Sequence, residues 1–148
     1  MKSLFFILLV AGFTYSCTNG HDHLPANQVK AAPVATDLKL DTDNKKWRAD
    51  EPTTTTIENM QQLMHTFGTG NNVGSVSAYQ ELGKTLNHEM NTLFRQCTMT
   101  GPAHDELHTI LTPIMKDIKV LQGENLEAST AAQMRLEERL MVYNDFFE

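Results

Sequence analysis

The chain has 148 residues, which is room for one small domain and not two, and it carries a formal net charge of -6 with 41% hydrophobic residues. An acidic balance, with no basic stripe and no aromatic platform, argues against nucleic acid as a partner.

Met1-Lys2 leads into an apolar run from Leu4 to Phe13, followed by Thr14-Tyr15-Ser16-Cys17. A basic start, a short apolar stretch and small residues before a cleavage point predict a secretory signal over residues 1–16, too short to span a bilayer comfortably. With a cysteine directly at that point, the segment resembles a bacterial lipoprotein lipobox. Ser16 fits the pattern, and Thr14 stands where Leu or Val is usual. The resemblance implies cleavage before Cys17 and acylation of its sulfur and new amino group. It also implies a lipid bilayer as partner, at the periplasmic face of the inner or outer membrane. Ordinary secretion with a free Cys17 is the plainer alternative. If Cys17 is acylated, Cys97 has no partner within the chain; it is then a buried hydrophobe, a ligand or an intermolecular link.

Residues 17–37 are polar and broken by Pro25 and Pro33, which predicts a flexible tether. His21-Asp22-His23 lies in it, and ordering entropy weighs against a metal site there. Residues 38–54 follow, opening on alternating Leu38-Lys-Leu40 and reaching Trp47 through Asp43-Asn44. That pattern predicts a short hairpin-like strap whose Trp47 closes over one end of the core. Asp41-x-Asp43-Asn44 is similar to a calcium loop but lacks its glycine and closing glutamate, so calcium is rejected.

Four amphipathic segments make up residues 55–148. The first is expected to open at Thr55 with Glu58 in a capping box, its stripe being Ile57, Met60, Met64 and Phe67. After a glycine-rich break, a second begins near Ser77 with Gln80 at the capping-box position. Its stripe is Tyr79, Leu82, Leu86, Met90, Leu93 and Cys97. Gly83 inside that segment costs about 1 kcal/mol relative to Ala, which points to a packing reason. Gly101-Pro102 marks the next boundary. The third stripe is His104, Leu107, Leu111, Ile114, Ile118 and Leu121, with a kink expected near Pro113. The fourth runs inward at Ala132, Leu136, Leu140, Tyr143 and Phe147. Short turns favour antiparallel neighbours, so the expected fold is all-α, an up-down-up-down four-helix bundle.

In that topology Met60, Cys97, Met99, His104, His108 and Tyr143 share one end of the bundle. His104 and His108 stand on neighbouring turns of one face. The positive end of the third helix disfavours imidazolium and favours a thiolate at Cys97. Soft sulfur and imidazole donors together suit copper or zinc, with Cys97 the strongest ligand, His104 and His108 next, and Met60 or Met99 completing the set. The thioethers and thiol lean toward copper(I), while histidine pairs suit zinc and copper(II) equally. Each residue also has a plainer account: Cys97 and the methionines as core filler, His104 as a core histidine, His108 as half exposed. His65 and His88 read as surface residues.

Residues 55–148 resemble the small periplasmic b-type cytochromes built as four-helix bundles. The likeness rests on helix order, Glu58-Asn59-Met60, and the closing segments from Glu124-Asn125-Leu126-Glu127 to Val142-Tyr143-Asn144-Asp145-Phe146. It implies haem held by a first-helix methionine, matched by Met60, and a last-helix histidine, where this chain has Asn144. Half of the axial pair is therefore missing. The run Cys97-Thr-Met-Thr-Gly-Pro-Ala-His104-Asp-Glu-Leu-His108 is similar to one in small Bacteroidetes lipoproteins, a likeness that implies no activity. Cys97 with either histidine makes a candidate nucleophile and base, but no oxyanion loop or orienting third group is visible, so catalysis is not expected. The expected function is a lipid-anchored envelope protein handling copper or zinc at one bundle end. The rivals are a metal-free interaction module and, third, a haem protein.

Overall fold

The computed structural model describes residues 37–70 and 74–148, and within them the chain forms α1 (Glu51–Thr69), α2 (Val76–Gln96), α3 (Pro102–Leu121) and α4 (Leu126–Phe146). The expected signal peptide, Cys17 and the tether with His21 and His23 lie outside the described residues. Among the described residues, no helix is long and apolar enough to cross a membrane.

The first helix opens earlier than Thr55. Asp50 is its N-cap: its side chain accepts from the Thr53 N–H at 3.0 Å, and Pro52 sits in the first turn, where a missing N–H costs nothing. The threonine run Thr53–Thr56 lies inside the helix, with Thr53 and Thr56 buried and Thr56 Oγ1 donating to the Pro52 carbonyl at 2.8 Å. In α2 the cap is Ser75, which makes no side-chain cap bond. Gln80 closes no capping box; its amide donates instead to the Gly123 carbonyl at 3.1 Å, across the bundle end. Pro102 starts α3 as expected, and the helix continues unbroken through Pro113. Asn125 caps α4 by accepting from the Ala128 N–H at 2.9 Å.

Contacts at the helix ends set the topology. Asp50 before α1 meets Thr98 just past α2. Gly83 early in α2 meets Ile118, Leu121 and Gln122 at the end of α3. Trp47 ahead of α1 pairs with Phe147 past α4. Consecutive helices are thus antiparallel, and α1 packs back on α4 to close an up-down-up-down bundle. The apolar stripes meet in one core, with Ile57, Met60, Leu86, Ile114, Ala132 and Leu136 fully buried.

The strap folds onto the end that holds the α2–α3 corner. Asp41 Oδ1 accepts from the Asp43 and Lys45 N–H groups, and Asn44 takes φ 61°, so the chain reverses tightly. Trp47 donates its indole N–H to the Lys39 carbonyl at 2.7 Å, and its backbone pairs with the C-terminus through Phe146 and Glu148. The Lys39 N–H then donates to Glu106 Oε1 at 2.6 Å, tying the strap to the first turns of α3.

Two tight spots hold the helices in register. At Gly83 an added Cβ would stand 2.9 Å from Gln122 Cγ and 3.0 Å from Leu121 Cβ. Gln122 also donates to the Gly83 carbonyl at 3.0 Å, so the costly glycine serves a close crossing of α2 and α3. Between α3 and α4, Asp117 is buried at 5% exposure and accepts from Arg135 (2.6 Å to Nη2) and from Arg139. Asp117 is the one charged residue on the otherwise apolar buried face of α3.

Gly83→Ala should lower the melting temperature: crowding of about 1–3 kcal/mol outweighs the helix-propensity gain of about 1 kcal/mol. Asp117→Asn should cost about 3 kcal/mol in urea unfolding, because it strands two guanidinium groups, one of them largely buried. A loss below about 1 kcal/mol would show the network to be solvated and of little weight.

Candidate metal centre

The α2–α3 corner is built from one end of each helix. Cys97 is the C-cap of α2, in extended conformation (φ -60°, ψ 124°), and its N–H bonds to the Leu93 carbonyl at 2.8 Å. Thr98 turns to Asp50, donating both its N–H and its hydroxyl (2.8 Å) to Oδ2. Gly101 then takes φ 68°, a left-handed value open chiefly to glycine. Its carbonyl accepts from the His104 and Asp105 N–H groups, starting α3. These bonds place His104 in the first turn of α3, against Cys97, and His108 one turn further on.

Three of the five expected metal donors come together. Cys97 Sγ lies 3.8 Å from Nδ1 of His104. Nε2 of His104 lies 3.0 Å from Nε2 of His108, with the two rings edge-to-face at a centroid separation of 4.5 Å. Cys97 and His104 are half-buried and His108 is exposed. Together with Leu93, Phe94, Leu107 and Leu111, these three side chains line one groove of about 220 Å³.

The methionines are not part of this cluster. Met60 is fully buried in the core, and it lies ten residues beyond the Asp50 cap, about 15 Å along the axis at 1.5 Å per residue. The expectation that it sits at the bundle end rested on a helix start at Thr55; with α1 opening at Glu51, Met60 falls near mid-helix. Met99 belongs to the corner, but its half-buried side chain packs against the core. Tyr143 is buried at 3% and stacks on Phe147 at 4.8 Å. Burial pushes its phenol above the ordinary value and the Asp50 and Glu58 carboxylates add to this, so it stays protonated and is a poor ligand. His65 and His88 are exposed. Among the described residues, no group of three His, Cys, Asp or Glu side chains is placed to hold a metal ion together.

Asp50, which shapes this corner, is not singled out by the sequence pattern. Its signal is an aspartate two residues before a proline, an N-cap pattern hidden by the threonines that follow. Partial burial would raise its carboxyl, but the hydrogen bonds from Thr53 and Thr98 outweigh that and hold it at about 2, against an ordinary 3.8.

The chain gives no match to any protein-family model, to any curated protein or to any solved structure.

Because the folded-state value is depressed, the stabilisation from Asp50 is fully present above pH 3.8 and is lost as pH falls through about 2. Asp50→Ala should cost about 1–2 kcal/mol at neutral pH, most of it the lost cap. Urea unfolding of the two proteins at stepped pH should find that gap narrowing across this window. A gap that stays constant down to pH 2 would mean that the carboxylate charge has no part in it.

Proposed function

We propose that the helical bundle binds a transition-metal ion, zinc or copper, at the α2–α3 corner, and does so at the cell envelope, held to a bilayer through an acylated Cys17. The observation that carries the metal reading is the 3.0 Å approach of the two imidazole Nε2 atoms of His104 and His108. Two ring nitrogens this close share one proton in the metal-free protein, one donating and the other accepting. A metal ion can take that proton's place. With metal–nitrogen bonds of 2.0–2.1 Å, a 3.0 Å separation subtends about 95° at the metal. That is near the right angle of tetragonal copper(II), and opening by a few tenths of an ångström gives tetrahedral zinc. The spacing of four residues on one helix is the one used by helical zinc sites. The lipid anchor rests on the lipobox resemblance around Cys17.

The rival reading, a metal-free interaction module, is favoured by Phe94 and Met115, exposed at 42% and 36% along the α2–α3 face. Haem finds less support. Met60 is enclosed by core side chains, while Asn144 is exposed, its side-chain oxygen 3.4 Å from the Gln61 amide.

Titration of the full chain with zinc(II), copper(I) and copper(II) against a competing chelator separates these readings. One equivalent should bind, and His104→Ala and His108→Ala should each weaken binding at least about tenfold, or 1.4 kcal/mol. Binding equal to that of the double variant would remove the metal reading and leave the interaction module.

A further inference from the structure

The metal reading takes a definite form from the orientation of one ring. We propose that an ion at this corner is held by the two Nε2 atoms of His104 and His108 and not by Cys97, which instead orients His104 from behind. This inference rests on the proposed metal site and specifies its donor set.

The two nitrogens of an imidazole lie on diverging edges of the ring. Cys97 Sγ faces Nδ1 of His104, while His108 faces Nε2. An ion between the two Nε2 atoms therefore has the His104 ring between itself and the thiol, and the three side chains do not converge on one point. Cys97 is also poorly placed to swing around. Its N–H is held by the Leu93 carbonyl, the next residue is fastened to Asp50, and its side chain packs against the core.

A neutral imidazole carries one N–H. If Nε2 ligates, the proton is on Nδ1 and is directed at Sγ, a weak acceptor. Cys97 is then the group that fixes the tautomer and the ring angle, as the outer partners of ligating histidines generally do. An all-nitrogen donor pair suits zinc(II), copper(II) and nickel(II). Copper(I), which prefers thiolate and thioether, loses the sulfur it would need. The remaining coordination positions are left to water or to an exogenous ligand, in the groove that the two histidines and Cys97 line with Leu93, Phe94, Leu107 and Leu111.

Cobalt(II), as a coloured stand-in for zinc, tests this on the full chain by titration and absorption, with metal-free thermal unfolding recorded for every variant. The wild-type chain should show ligand-field bands without a thiolate-to-cobalt charge-transfer band. Cys97→Ser, which keeps an acceptor, should bind within about threefold of wild type, and Cys97→Ala about tenfold more weakly, the usual scale for an outer partner. His108→Ala should lose the bands. A thiolate band in the wild type that disappears in Cys97→Ser would overturn this inference while leaving the metal reading intact. Unchanged affinity in a folded Cys97→Ala would overturn the orienting role. Failure of the wild-type chain to bind cobalt or zinc would overturn both.

Discussion

The carboxylate of Asp50 is the contact on which the geometry of the corner depends. It caps α1 through Thr53 and, with its other oxygen, holds the N–H and hydroxyl of Thr98, 48 residues later in the chain. One side chain thus satisfies the start of one helix and anchors the exit from another. Once Thr98 is held, the C-cap at Cys97, the left-handed turn at Gly101 and the first turn of α3 follow in a short and constrained path. The Cys97 thiol meets the His104 ring because the backbone beneath them has few alternatives, while His104 and His108 meet through their spacing on α3.

Most of the fold was legible because helical periodicity is a strong signal. The stripes through Tyr79, Leu86 and Met90, through Leu107, Ile114 and Leu121, and through Ala132, Leu136 and Leu140 are all buried as their spacing predicts. The start of α1 was not legible, since Pro52 and Thr53–Thr56 carry low helix propensity and their stabilisation is tertiary. The buried Asp117 was hidden for the same reason. A charge at a stripe position reads as an interruption until Arg135 and Arg139, one turn apart on the neighbouring helix, are seen to meet it. Gly83 was half legible: its cost inside a helix pointed to packing, but the partner helix could not be named from spacing.

The candidate site divides along the same line. Spacing was enough to put His104 and His108 on one face and Cys97 at the adjoining helix end. It could not say which ring nitrogen each neighbour would face, because that is decided by side-chain rotation at a corner whose shape comes from Asp50 and Gly101. The outcome matters chemically. The donors that a sequence lists as one soft-ligand set are, in space, a nitrogen pair on one side of a ring and a sulfur on the other. The Met60 thioether is withdrawn by a related constraint, since a methionine on a buried stripe serves the core and is not free to reach the bundle end, and Met99 at the corner packs half-buried against that core.

A crystal structure of the full chain grown with zinc, with anomalous diffraction collected at the zinc edge, puts the central claim to its most direct test. One strong peak is expected between His104 and His108, within about 2.1 Å of both Nε2 atoms, with the Cys97 sulfur on the far side of the His104 ring. No peak at the corner, in a crystal whose zinc occupies other surface positions, would contradict it.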